Sequence, residues 1–133
     1  MLSGLFGKKK TVKNKVLVVE DDAMLSRVLS ESLKIEKLQI KIVEDGSKVM
    51  DEVVKFMPDI ILLDLILPGI DGFAVLKQLK EETKTKNIPV VVLSNLDQAS
   101  DIKAVKALGA DQYFLKATTK IDVIVQYVKD KLK

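Results

Sequence analysis

Short apolar runs alternate along the chain with segments in which apolar residues recur every three or four positions. Residues 16–19, 60–63 and 90–93 are uninterrupted apolar runs, as in strands that a parallel sheet buries on both faces. Residues 39–43 alternate only weakly, which predicts a less buried strand at an edge of the sheet. Residues 111–115 predict a fifth strand.

The segments between these strands have helical spacing. The first helix is predicted at about 23–36, with Asp22 as its N-cap and Leu25, Val28, Leu29 and Leu33 facing inward. The others are predicted from Val49 to Pro58, from Gly72, at about 98–108 with Gly109 as the stop, and from Ile121 onward. In the second helix the expected buried stripe is Val49, Met50, Val53, Val54 and Met57.

Five strands alternating with five helices predict an α/β fold. Because the connections are short and the strands are continuously apolar, we expect a doubly wound, five-stranded parallel sheet with helices on both faces. The chain has 133 residues, which fits one domain. The prediction is a folded domain over residues 15–133, preceded by an arm at residues 1–14.

The basic charge of the chain is concentrated in this arm. The formal net charge is +3, but residues 1–15 hold five lysines and no acid, so the remainder has 17 basic and 19 acidic residues. This mildly acidic body argues against nucleic acid as its partner. The arm is expected to be flexible; the alternative is a weak contact with a membrane surface or a partner, through Leu2, Leu5 and Phe6 beside lysines.

The composition excludes several kinds of site. The chain has no cysteine and no histidine, which rules out disulfides, zinc thiolate sites, cysteine nucleophiles and histidine general bases. No apolar run approaches the roughly 20 residues needed to span a bilayer, and the N-terminus is a poor secretory signal. We therefore expect a cytoplasmic protein without stable membrane insertion.

Polar side chains that could bind a ligand or react follow four of the predicted strands. Glu20 and Asp21 follow the first, Asp64 the third, Ser94 the fourth and Lys116 the fifth. The carboxyl ends of parallel strands share one edge, where open α/β sheets bind ligands. Three neighbouring carboxylates require a cation, and their oxygen ligands favour Mg²⁺, Mn²⁺ or Ca²⁺. With an amine and a hydroxyl nearby, this set predicts phosphoryl transfer to Asp64.

These motifs closely resemble the response regulator receiver domain of bacterial two-component signalling, in the stand-alone, chemotaxis-regulator-like form. The matching segments are Val-Val-Glu-Asp-Asp at 18–22, Pro-Asp-Ile-Ile-Leu-Leu-Asp at 58–64, Leu-Pro-Gly-Ile-Asp-Gly at 67–72, Val-Leu-Ser at 92–94 and Gly-Ala-Asp-Gln-Tyr-Phe-Leu-Lys at 109–116. The resemblance covers the chain from Val16 to about Lys131. It implies the flavodoxin-like strand order 2-1-3-4-5.

The resemblance also implies a role for each residue at the predicted site. Asp64 would be the phosphoacceptor, and Lys116 would pair with it and then with the phosphate. Asp21, Asp64 and the backbone carbonyl of Ile66 would hold Mg²⁺ or Mn²⁺, with Glu20 acting through water. Ser94 and Tyr113 would form the switch. Asp22 and Asp71 are expected to be a cap and a turn residue.

Three positions depart from the family pattern. Ala117 follows Lys116 where the family usually has proline, so we predict a trans Lys116–Ala117 bond, because a cis bond ahead of a non-proline residue costs roughly 2.5–4 kcal/mol. Ile66 and Leu96 stand where fast-resetting members carry polar side chains that orient the hydrolytic water. We therefore expect a slowly hydrolysing phosphate.

The resemblance implies a histidine kinase or phosphotransfer protein as the phosphoryl donor. It also implies a downstream target protein that recognises the face formed by helix four, strand five and helix five, and it leaves open a dimer formed on phosphorylation. No turnover enzyme is expected, only Mg-dependent self-phosphorylation and autodephosphorylation. The main alternative is a degenerate receiver that binds partners without phosphorylation. A phosphatase of the haloacid dehalogenase type is disfavoured because it needs an aspartate where Ile66 stands.

Overall fold

The computed structural model describes residues 12–133. The predicted arm therefore lies outside the described residues except for Val12, Lys13 and Asn14. Asn14 is already tied to the fold, since its N–H donates to Asp59 Oδ2 at 2.9 Å and its carbonyl accepts from Gln39 N at 2.7 Å. Within the described range, no helix is long and apolar enough to cross a membrane.

The sheet has the predicted number of strands in the predicted order. Its five strands are all parallel and follow the order β2-β1-β3-β4-β5, so the weakly alternating second strand lies at an edge as expected. The strands are β1 (Lys15–Val19), β2 (Gln39–Val43), β3 (Ile60–Asp64), β4 (Val90–Ser94) and β5 (Gln112–Leu115).

Five α-helices connect and follow these strands. They are α1 (Ala23–Ile35), α2 (Val49–Phe56), α3 (Gly72–Glu81), α4 (Ala99–Ala107) and α5 (Ile121–Lys131). A single 3₁₀ turn, Gly46–Lys48, precedes α2. The aspartates preceding α1 and α3 act as N-caps: Asp22 accepts from Met24 N and Leu25 N, and Asp71 from Ala74 N.

Two apolar layers form on opposite faces of the sheet. Alternate strand residues point to opposite faces, so Leu17, Ile61 and Val92 pack with α2, α3 and α4, while Val18, Leu62 and Val91 pack with α1 and α5. Strands β3 and β4 are buried along their whole length. This burial on both faces accounts for the uninterrupted apolar runs in the sequence.

The prediction for the end of the second helix was wrong. Val54 and Met57 were expected in the buried stripe, but they are 52% and 58% exposed. Helix α2 ends at Phe56, and Met57 takes a left-handed conformation with φ of 54° that turns the chain towards β3. Val28 of α1 is also more exposed than predicted, at 41%.

The loops that follow β2 and β3, at the carboxyl ends of the strands, interlock around Gly46. Its N–H donates to the carbonyl of Pro68 at 3.0 Å, and a Cβ atom at this position would lie 1.7 Å from the carbonyl oxygen of Ile70. A second close approach occurs at Gly72, where a Cβ would lie 2.3 Å from the carbonyl oxygen of Asp64. The segment between Asp64 and α3 is therefore held by backbone contacts that only glycine permits.

Candidate functional site

Three acids lie together at the carboxyl edge of the sheet. Glu20 and Asp21 come directly after β1, and Asp64 is the last residue of the adjacent strand β3. One carboxylate oxygen from each acid lies within 4.8 Å of the other two. Glu20 and Asp64 are buried, at 2% and 4% exposure, whereas Asp21 is exposed. The structure thus brings together residues that are more than 40 positions apart in sequence.

Lys116 is a counter-charge that the two buried acids share. It follows β5, and its backbone N–H donates to the carbonyl of Ser94 at 3.0 Å, which holds it beside the end of β4. Its Nζ lies 3.0 Å from Asp64 Oδ2 and 2.7 Å from Glu20 Oε1. Burial alone would lower the pKa of Lys116, but the contacts with Glu20 and Asp64 outweigh burial and raise it. This lysine is therefore a fixed positive charge within the site.

Glu20 has one contact for each of its carboxylate oxygens. Its Oε2 accepts from Asp22 N at 3.1 Å. Its Oε1 lies 2.7 Å from Lys116 Nζ in an ion pair, and beyond that contact this buried oxygen has no hydrogen-bond donor among the described residues. Burial raises the pKa of the Glu20 carboxyl, and the charge of Asp64 raises it further, against the lowering effects of Lys116 and Asp22.

These residues fit a hard divalent cation. Three carboxylates with converging oxygens match the oxygen ligands that Mg²⁺ and Mn²⁺ prefer. The Oε1 of Glu20, whose one contact among the described residues is Lys116, can also accept from a metal-bound water, and the exposed Asp21 leaves one side open to solvent. A cation would also relieve the repulsion that a single lysine leaves among three acids.

Ser94 and Tyr113 meet the same loop after β4. Ser94 is fully buried, and its Oγ accepts from Leu96 N at 3.1 Å. The hydroxyl of Tyr113, on β5, donates to the carbonyl of Leu96 at 2.5 Å. Burial raises the pKa of Tyr113, so this hydroxyl stays protonated and remains a donor at neutral pH. Leu96 thus links the two predicted switch residues, a connection that residue type alone did not indicate.

Ile66 and Leu96 differ in their surroundings. Ile66 lies two residues after Asp64, its side chain is 61% exposed, and its N–H donates to Asp64 Oδ1 at 3.2 Å. Leu96 is half-buried and packs against the core on the α3 side of the sheet. Of the two apolar side chains, only that of Ile66 stands largely in solvent, close to Asp64.

A hydrogen bond to Asn95 holds the loop that follows Lys116. The described chain contains no cis peptide bond, so the predicted trans Lys116–Ala117 bond is confirmed. The N–H of Ala117, which proline would lack, donates to Asn95 Oδ1 at 2.9 Å. This bond joins the loops that follow β4 and β5. Sequence reasoning missed Asn95, because nothing in its residue type or spacing signals a partner 22 positions away.

Comparison with known proteins identifies the family of this chain. The family model described as the response regulator receiver domain matches residues 16–129. RpaA of Synechocystis sp., a DNA-binding dual master transcriptional regulator, is 35% identical over 102 residues. The match covers 77% of this chain but 42% of RpaA, so the chain spans less than half the length of that relative.

Solved structures agree on the fold. The BeF3-activated N-terminal receiver domain of RstA from Klebsiella pneumoniae superposes with a TM-score of 0.83 at 28% identity, covering 90% of this chain and 99% of that one. The Mn²⁺-bound form of the response regulator Rcp1 gives a TM-score of 0.77 at 32% identity, covering 88% and 92%. The flavodoxin-like strand order predicted from the sequence is confirmed.

Proposed function

Because this chain belongs to the response regulator receiver family, we propose that it accepts a phosphoryl group on Asp64 from a histidine kinase or a phosphotransfer protein. The observation that carries this proposal is the contact of Lys116 with both buried acids, 3.0 Å from Asp64 Oδ2 and 2.7 Å from Glu20 Oε1. A carboxylate fixed beside a positive charge in this way can act as a nucleophile towards phosphorus. A new P–O bond to Asp64 forms as the bond to the donor's leaving group breaks.

A divalent cation belongs to this proposal. Asp21, Asp64 and the backbone carbonyl of Ile66 would hold Mg²⁺ or Mn²⁺, with Glu20 acting through water. When bound, the cation would neutralise charge on the phosphoryl oxygens. The Mn²⁺-bound form of Rcp1 supports this assignment for the fold.

The chain's own residues would then respond to the phosphoryl group. Lys116 would exchange its contact with Asp64 for one with a phosphoryl oxygen, and the hydroxyl of Ser94 would turn from Leu96 N to donate to another. Because Tyr113 bonds the carbonyl of Leu96, a shift of this loop would move the tyrosine ring. The phosphoryl group adds about −1.5 to −2 charges, and a target protein would read the changed face of α4, β5 and α5.

An apolar groove beside the site suits a docking donor protein. It is lined on one side by Met24, Leu25 and Val28 of α1 and on the other by Ile121 of α5, and it reaches Lys116. Met24 is 78% exposed.

The proposed role is that of a signalling protein without turnover of an external substrate, acting in the cytoplasm.

The first test is intact mass after incubation with acetyl phosphate and Mg²⁺. One added phosphoryl group is expected on the unaltered chain, with none after Asp64→Ala or in the presence of EDTA. Asp97→Ala, which removes an exposed acid of the loop after β4, is the matched control and should still be phosphorylated. No adduct on a folded chain would reject the proposal and favour a receiver that binds partners without phosphorylation.

Ile66→Asn is expected to shorten the lifetime of the phosphate. An amide at this position can orient water towards phosphorus, whereas isoleucine cannot, and 61% exposure of the side chain leaves room for the change. We expect roughly tenfold faster hydrolysis, below the ~10²–10⁴ that a positioned general base supplies, because an amide orients water without taking its proton. Loss of the phosphoryl mass over time measures it, and an unchanged rate would contradict the prediction.

A further inference from the structure

The charged residues of this chain are divided between the two edges of the sheet. Strands start and helices end at the amino edge, opposite Asp64. The segments there are 12–15, 33–37, 55–59, 80–89, 106–111 and 129–133, and together they hold twelve lysines and six acids. The carboxyl edge instead holds the acidic cluster of Glu20, Asp21 and Asp64. The molecule therefore has a basic end and an acidic end.

Much of the positive charge at the amino edge is uncompensated. Four of the six acids there are engaged: Glu36 pairs with Lys129 at 2.9 Å, Asp130 with Lys133 at 3.6 Å and Asp111 with Lys131 at 3.8 Å, and Asp59 accepts two backbone N–H groups. Glu81 and Glu82 are exposed without an ion pair among residues 12–133, so they offset only part of the lysine charge. Six exposed lysines of this edge have no ion-pair partner among residues 12–133; they are Lys13, Lys34, Lys37, Lys84, Lys86 and Lys106.

Helix dipoles account for only part of this lysine set. Lys34 and Lys106 lie in the last turns of α1 and α4, where a cation is favoured. Lys13, Lys84 and Lys86 lie outside any helix. Lys37 takes a left-handed conformation with φ of 64°, a position where the backbone favours glycine. Fold stability alone therefore does not explain the basic edge.

We propose that this amino edge binds the surface of an anionic lipid bilayer. Lysines near such a surface attract anionic headgroups, and the attraction adds up over a polybasic set. The preceding sequence enters at the same edge, since Val12 is 65% exposed just before β1. That sequence carries Leu2, Leu5 and Phe6 followed by Lys8, Lys9 and Lys10.

The combination of apolar and basic residues selects lipid over nucleic acid. Leucine and phenylalanine beside lysines suit the boundary between headgroups and acyl chains, whereas a phosphodiester backbone is bound by the charges alone. The acidic carboxyl edge would be repelled by the same surface. Bound in this orientation, the protein would present Asp64 away from the bilayer, where a donor protein reaches it.

Sedimentation of the full chain with vesicles tests this surface. We expect binding to vesicles of phosphatidylglycerol mixed with phosphatidylcholine, no binding to phosphatidylcholine alone, and release at high salt. Lys34→Glu with Lys37→Glu should weaken the partition at least about tenfold, and Leu5→Ser with Phe6→Ser should weaken it as well. Lys103→Glu with Lys120→Glu makes the same charge change on exposed lysines away from the amino edge and should have the smaller effect.

Three outcomes would overturn the proposal: equal binding to both kinds of vesicle, equal loss in both lysine pairs, or retention on duplex DNA without vesicle binding. Phosphorylation by acetyl phosphate is measured in the same samples. All lysine variants should retain it, because none alters the acidic cluster or Lys116. A failure of phosphoryl acceptance is thereby separated from a failure of membrane binding.

Discussion

Replacing Lys116 with methionine is expected to lower the free energy of unfolding by about 3 kcal/mol in the absence of metal. The variant leaves Glu20 and Asp64, both nearly inaccessible to solvent, without their shared cation. Removing one partner of a buried ion pair typically costs about 3–5 kcal/mol. The lower end applies because Lys116 keeps 17% of its side-chain surface exposed. Urea unfolding with EDTA measures the loss.

Added Mg²⁺ should restore part of this stability and should stabilise the variant more than the unaltered chain. The cation would be the only remaining counter-charge for the acids in the variant, whereas in the unaltered chain Lys116 shares that role. Lys103→Met, at an exposed position of α4 that has no ion pair within residues 12–133, is the control and should change stability by less than about 0.5 kcal/mol. A Lys116→Met variant as stable as this control would contradict the prediction.

The second large effect is expected from Gly46→Ala. Its Cβ would lie 1.7 Å from the carbonyl oxygen of Ile70, so one of the two interlocked loops must move. Overpacking costs about 1–3 kcal/mol, and the upper end is expected because the obstructing atom is backbone. One of the two loops, the loop after β3, contains Ile66, whose carbonyl is a proposed metal ligand, and its path is set by this contact with Gly46. Mg²⁺ affinity should therefore fall together with stability.

Ser47→Ala is the control for this substitution. It lies in the same 3₁₀ turn and removes only the exposed hydrogen bond from its Oγ to Asp45 Oδ1, worth about 0.5–1.5 kcal/mol at most. It should leave Mg²⁺ affinity unchanged. Urea unfolding and a Mg²⁺ titration of both variants make the comparison. Equal behaviour of the two would show that the interlock does not position the loop after β3.

The sheet could be predicted from the sequence because strands that are buried on both faces consist of uninterrupted apolar residues. The uninterrupted runs in β1, β3 and β4 are short and rich in β-branched residues, which favours strands over helices, and the helices between them supply the crossovers that parallel pairing needs. The convergence of Glu20, Asp21 and Asp64 then follows from topology, since parallel strands end at one edge. The fold and the acidic cluster could therefore both be predicted from the sequence.

Other features depend on contacts that residue type does not encode. Met57 ends α2 in a left-handed conformation usually taken by glycine, so the stripe through Val54 was extended too far. The bond from Ala117 N to Asn95 Oδ1 arises only once β4 and β5 lie side by side. The interlock at Gly46 likewise needs the path of the loop after β3.

The bond between Tyr113 and Leu96 also gives the molecule an optical signal of its own. The chain has no tryptophan and two tyrosines, so its near-ultraviolet emission comes from Tyr113 and from Tyr127, which packs edge-on against Phe114. Tyr127→Phe would leave Tyr113 as the single emitter, bonded to the loop that follows Ser94. Rearrangement of that loop could then be followed in real time without attaching a label.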